Sequence, residues 1–227
     1  MLVPSACLTD SAARGHLCAH VPATALTASG LPLVQVAARQ PVYAAGQAAD
    51  RLFGIRQGAV MLTGHLADGR RQIFGFLFQG DTFGFAPDGA HPFGAVSLTR
   101  TTLCQLPLEA VAADRRLAER AAAALSDMLA TAWTHQVSLG QMSAVERVAT
   151  FLSGLWHRLG RPEELHLPMA VADIADHLGL RPETVSRSLT RLRRSGLVGR
   201  WDAYGFLPIY DGPGLGDRPA GRSPAAA

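Results

Sequence analysis

The run from Pro168 to Arg200, PMAVADIADHLGLRPETVSRSLTRLRRSGLVGR, constrains the fold more than any other part of the chain. It predicts a helix, a tight turn at Gly179, and a second helix with Pro182 in its first position, where the missing N–H costs nothing. In the first helix Ile174, Ala175 and Leu178 fall on one apolar side at helical spacing. In the second, Val185, Leu189 and Leu192 point inward, while Glu183, Ser186, Arg187 and Thr190 share the opposite face. A helix pinned by one thin apolar stripe and showing acid, hydroxyl and guanidinium outward suits the DNA major groove, whose base edges carry both donors and acceptors. Arg181, Arg187, Arg191, Arg193, Arg194 and Arg200 surround it, with Glu183 the one nearby acid. Such a local excess of cations suits phosphate binding and counterion release. The pattern predicts a DNA-binding helix-turn-helix.

The 227 residues are enough for two modest domains, each with its own core. A net charge of +3 is mild, so the basic character is concentrated at one end rather than spread over the chain. No apolar run reaches membrane-spanning length, and the N-terminus lacks the charged and apolar regions of a signal peptide, which predicts a cytoplasmic protein without membrane contact. Three cysteines cannot form a fully paired disulfide framework and point to thiols, redox chemistry or ligation in a reducing compartment.

From about Leu33 to Leu106 short strands alternate with turn residues. Arg51 to Arg56 ends near Gly58, Ala59 to Leu66 carries Val60, Leu62 and Leu66 in alternation, and Asp68-Gly69 is a hairpin signal before Gln72 to Phe78. A turn at Gly80-Asp81 and a last strand from Thr102 to Leu106 complete an antiparallel roll or barrel. An Ala-rich helix follows from about Asp114 to Leu139. Its Leu125, Met128, Leu129, Ala132, Gln136 and Leu139 make a narrow seam suited to a partner helix, which predicts a homodimer. Ser143 and Glu146 form a capping box for the next helix, through about Leu159. Beyond the recognition helix, Leu197 to Trp201 and Tyr204 to Ile209 suggest a β-wing that brings Arg200 near phosphates. The fold class is α+β. Its expected divisions are 1–30, an N-terminal segment; 31–110, the roll; 111–140, the dimerisation helix; 141–211, the winged helix-turn-helix; and 212–227, a disordered tail rich in Gly, Pro and Ala.

With DGRRQIFGFLFQGDTFGF (Asp68 to Phe85), LCQLP (Leu103 to Pro107), SAVERVATFL (Ser143 to Leu152) and ETVSR in the recognition helix, the chain closely resembles the CRP/FNR family of transcription regulators, in its FNR branch, from about Cys18 to Phe206. The resemblance implies a cyclic-nucleotide-binding-like roll, a dimer, and no enzymatic activity. It implies that Glu183, Ser186 and Arg187 read a TTGA(T/C) half-site, two of which form a palindrome, with Thr184, Arg181, Thr190, Arg191 and Arg200 as further DNA contacts. The chemistry agrees, since a carboxylate can accept from cytosine N4 and an arginine can pair with guanine O6 and N7. The Phe74-Gly75-Phe76 strand and the Gly80 to Phe85 loop match a region that contacts RNA polymerase in this family.

Three ligands compete for the roll. Relatives that bind a cyclic nucleotide use a Gly-Glu pair and an Arg-Ser or Arg-Thr pair; Gly80 to Ala95, GDTFGFAPDGAHPFGA, has neither, so an anionic ligand lacks a guanidinium partner there. FNR-type sensors carry C-x2-C-x7-C near the N-terminus and a cysteine in the last strand of the roll. Cys7, Cys18 and Cys104 register with that motif, and Asp10 stands in the middle position, so the resemblance implies a [4Fe-4S] cluster on three Cys and one Asp that responds to oxygen or nitric oxide. His16 and His20 are stand-ins for Asp10, and three unrelated cysteines remain the plain alternative. Haem is the third ligand, with His65, His91 or His135 as axial ligand. A cupin-like metalloenzyme would need a His-x-His in the roll, and none occurs. FNR-type proteins also keep an acidic residue in the seam where Ala132 stands here, so this chain is expected to dimerise more readily.

Overall fold

The computed structural model describes residues 33–216. They cluster into two compact units, divided inside the long helix between Ala130 and Thr131.

The first unit is the roll. One four-stranded antiparallel sheet has the order β1 (Leu33–Val36), β8 (Thr101–Pro107), β3 (Arg51–Gln57), β6 (Thr82–Phe83). The other has the order β2 (Pro41–Tyr43), β7 (Gly94–Ser97), β4 (Val60–His65), β5 (Arg71–Leu77). The β4–β5 hairpin turns at Asp68-Gly69 as the sequence predicts: Gly69 takes φ +83°, a left-handed conformation that suits glycine, and Asp68 accepts the Arg70 N–H at 3.1 Å. Inside the roll, Tyr43, Phe53, Ile55, Val60, Leu62, Leu77, Phe83, Ala95 and Leu103 form one cluster. Leu66 is exposed beyond the end of β4, whereas Met61 is buried, so the alternation expected for that strand gives way to burial on both faces.

Strand β8 explains much of the unit. Leu103 faces the roll interior, and its alternating neighbours Cys104 and Leu106 lie in a second cluster with Leu52, Val111, Leu117 and Ala121. The last three belong to α1 (Leu108–Ala113) and to the start of α2 (Arg115–Gln141), so the sheet is covered by helix on its outer side. The short α1 is absent from the sequence reading. Asp114 ends it and caps the next helix, accepting the N–H groups of Arg116 and Leu117 at 2.8 and 3.0 Å.

The second unit holds the last turns of α2 and α3 (Ala144–Arg158), β9 (Glu164–His166), α4 (Val171–Leu178), α5 (Pro182–Arg194), β10 (Phe206–Pro208) and α6 (Gly212–Gly216). The capping box at Ser143 and Glu146 is present, with the Ser143 N–H donating to Glu146 Oε2 at 2.8 Å. The two arms expected to form a wing run antiparallel: Val198 bridges Ile209, the Gly199 N–H donates to Pro208 O at 2.8 Å and the Tyr210 N–H to Leu197 O at 3.0 Å. On its other side β10 takes β9, about forty residues earlier, as a strand partner that the sequence reading did not include. One expectation is corrected here. The tail is not disordered from its first residue. Leu215 is fully buried, Gly212 lies against the Trp156 indole so closely that a side chain there would overlap it, and Asp211 accepts the Gly214 N–H at 2.9 Å.

Candidate nucleic-acid interface

The helix pair forms where the sequence predicts. Gly179 closes α4 with φ 62° and ψ 38°, a left-handed C-cap, and its N–H donates to Ala175 O. Ile174, Ala175 and Leu178 are buried, and so is Asp173, which accepts the Ala170 N–H at 2.9 Å and tightens the first turn. Arg181 precedes α5 in extended conformation and Pro182 opens it.

On α5, Val185 and Leu192 are fully buried, but Leu189 is only half-buried. Ser188 shares the inward face, and sequence reasoning missed it. Its hydroxyl donates to the Thr184 carbonyl at 2.8 Å, which satisfies the polar atom inside the helix and lets it face the core. Glu183, Ser186 and Arg187 are exposed together on the outer face, one turn apart. The Arg187 guanidinium donates to Thr184 Oγ1 at 3.3 Å, an anchor on its own helix that leaves most of its donors outward. Thr190 is half-buried, and its hydroxyl donates back to Ser186 O at 3.0 Å. Arg181, Arg191, Arg193, Arg194 and Arg200 are all exposed. At the wing, Asp202 Oδ1 accepts the N–H groups of Tyr204 and Phe206 at 2.9 and 2.8 Å, holding a turn whose Tyr204 side chain is exposed.

Of the residues assigned to a dimer seam, Leu125, Leu129, Ala132 and Gln136 are exposed, but Met128 packs against the roll cluster and Leu139 is half-buried against the turn at Gly179. The exposed apolar row on α2 is instead Leu125, Leu129, Trp133 and Val137, at 48, 48, 60 and 56 % exposure. All four stand four residues apart, a spacing that keeps them on one side of an α-helix. Trp133 and Val137 were readable from that spacing.

Cys7, Asp10, Cys18, His16 and His20 lie outside the described residues. Cys104 is fully buried among Leu52, Leu106, Val111 and Leu117. No group of three or more His, Cys, Asp or Glu side chains that could hold a metal occurs among the described residues. Of the haem candidates, His65 is exposed at the end of β4. His91 is buried and stacked on Tyr43 with ring centres 3.6 Å apart; burial lowers its pKa below the usual 6.5 and pushes the Tyr43 hydroxyl up. His135 stacks on His177 with centres 4.2 Å apart. Among the described residues no helix is long and apolar enough to cross a membrane.

A two-sheet roll and a helix-turn-helix whose second helix carries an arginine-rich outer face define a DNA-binding transcription regulator. The comparisons agree. The cyclic nucleotide-binding domain family model matches residues 33–113 and the Crp-like helix-turn-helix domain model residues 146–216. The nitrogen fixation regulation protein FixK of Rhizobium meliloti is 41% identical over 166 residues, covering 71% of this chain and 75% of that protein. The fumarate and nitrate reduction regulatory protein of Escherichia coli is 30% identical over 169 residues, covering 70% of this chain and 68% of its own length. The structure of FixK2 from Bradyrhizobium japonicum superposes with a TM-score of 0.77 at 30% identity, covering 85% of this chain and 99% of that one. The chain belongs to the CRP/FNR family of transcription regulators and is FixK-like; it is not an enzyme.

Proposed function

We propose that the chain binds DNA as a homodimer, on a palindrome of two TTGA(T/C)-type half-sites, with Glu183, Ser186 and Arg187 meeting base edges. One observation carries the reading: on α5 these three side chains are exposed on the face opposite the buried Val185, Ser188 and Leu192. Glu183 supplies acceptors, Arg187 a planar set of donors that can engage guanine O6 and N7 together, and Ser186 either role. Arg181, Arg191 and Arg200 take phosphates and fix the register of the helix in the groove, with Thr184 and Thr190 positioning the side chains beside them. The exposed row on α2 joins two copies, so that two recognition helices reach the two half-sites. Phe74, exposed and stacked on Phe93 at 5.0 Å, is the aromatic left outward for RNA polymerase; Phe76 and Phe83 are core.

The experiment is a titration of a labelled duplex carrying the palindrome against one with both half-sites scrambled, at several salt concentrations. Specific binding should exceed scrambled binding by at least about 10³-fold, and both should weaken as salt rises. Equal affinity for the two duplexes would sink the reading.

A second reading concerns the signal, and the register of β1 on β8 favours it. Leu33, the first described residue, pairs with Cys104, and Cys7, Asp10 and Cys18 precede it in the sequence. Those four residues would hold an iron–sulfur cluster, which would supply reactivity toward oxygen or nitric oxide. Protein purified without oxygen should then show a broad shoulder near ~400 nm that bleaches in air. A sharp Soret band would shift the assignment to haem. A colourless protein that binds the palindrome would leave a regulator controlled by its abundance or by thiol oxidation.

A further inference from the structure

The recognition helix needs more than a presentable face: in a dimer its position relative to the partner's helix decides which half-site separation fits. The second unit contains a device for holding it. Arg147, in the first turn of α3, donates to three backbone carbonyls: Leu139 O at 2.7 Å, Met142 O at 3.0 Å and Leu178 O at 3.3 Å. Leu139 O belongs to the last turn of α2, Met142 O follows that helix, and Leu178 O is the last residue of α4. Carbonyls at helix C-termini have no partner within the helix and sit at the negative end of its dipole, so a guanidinium there satisfies several acceptors at once.

A second contact grips the same place. His135 on α2 and His177 at the end of α4 stack nearly parallel, 7° apart, and Phe151 of α3 closes on His177 at 5.6 Å. Both contacts end at His177 and Leu178, five and four residues before the first residue of α5. On α2, His135 and Leu139 occupy the side opposite Trp133 and Val137, by the 100° step of the helix. The same turns therefore present the apolar row outward and grip the helix-turn-helix inward.

We infer that Arg147 and the His135–His177 stack are positioning residues that set the spacing at which two half-sites are recognised. The inference rests on the dimer-on-palindrome reading. Neither residue lies on the outer face of α5, so their action is on where that helix stands rather than on what it touches.

The test uses the full chain and duplexes carrying two half-sites at the preferred separation and at one base pair more or less. The wild-type protein should lose at least about tenfold in affinity for each altered spacing, since one base pair moves a half-site by ~3.4 Å and rotates it by about a tenth of a turn. In Arg147→Met that loss should shrink to about threefold or less, while affinity for a duplex with a single half-site stays within about twofold of wild type. Arg147→Lys, a point charge that cannot span three carbonyls, should fall between the two. His135→Ala supplies an independent variant should Arg147→Met fail to fold, and should relax the spacing in the same direction, with His135→Phe restoring the stack and the selectivity. Unchanged spacing selectivity in folded Arg147→Met or His135→Ala would overturn the inference. A wild-type protein that prefers no palindrome at any spacing would overturn the dimer reading and, with it, this inference.

Discussion

Replacing Arg187 by alanine is expected to erase the protein's preference for its site while leaving most of its affinity for DNA of any sequence. The guanidinium is exposed on α5 and tied to its own helix by one bond, to Thr184 Oγ1. A bidentate arginine–guanine contact is worth ~1–3 kcal/mol of discrimination. Two independent half-sites make that ~2–6 kcal/mol on a palindrome, or between about thirtyfold and 10⁴-fold. Five other exposed arginines, Arg181, Arg191, Arg193, Arg194 and Arg200, remain to bind phosphates. Changing the guanine in both half-sites should therefore cost the wild-type protein heavily and the variant nothing, in a competition assay at fixed salt. A variant that still penalises the changed guanine would remove Arg187 from the base-reading set.

The second large effect is expected at Trp133. It is the most exposed member of the apolar row on α2, and large aromatic side chains dominate interface energetics. Trp133→Glu places a charge on each side of the two-fold seam, where burial and like-charge repulsion both oppose association. Sedimentation should then show a monomer at micromolar concentration. Affinity for the palindrome should fall by about 10²–10⁴-fold toward that for one half-site, because the second contact is no longer tethered. Affinity for a single half-site should be unchanged. A dimeric Trp133→Glu, or a monomer with full palindrome affinity, would remove the row from the assembly. Ala132, also exposed, would add no charge of its own to the proposed seam.

The helix-turn-helix was legible because three independent signals fall within thirty residues: a left-handed glycine, a proline at N1 and a narrow apolar stripe. The hairpin at Asp68-Gly69 and the capping box at Ser143 were legible for the same reason, since local chemistry decides them. What escaped was non-local. Nothing in Glu164 to His166 announces a strand, because its partner is β10 beyond two intervening helices. Met128 matched a seam by spacing alone, but spacing does not say which of two apolar sides meets the roll. Ser188 was not among the inward positions read from the sequence, and its bond to the Thr184 carbonyl accounts for its burial. Arg147 carries no sequence signal of its role, because its three carbonyls come from segments that the fold alone brings together.

The basic ring around α5 is built entirely of arginine, and none of the 21 basic residues in the chain is lysine. Guanidinium groups stay protonated at any pH a cell reaches, and they offer no amine to acylate. Lysine acetyltransferases therefore have no side chain here to modify, and amine-reactive probes or surface-immobilisation reagents will leave the DNA-facing surface intact. The charge that holds this protein on a duplex is permanent, and counterions are the agent left to modulate it.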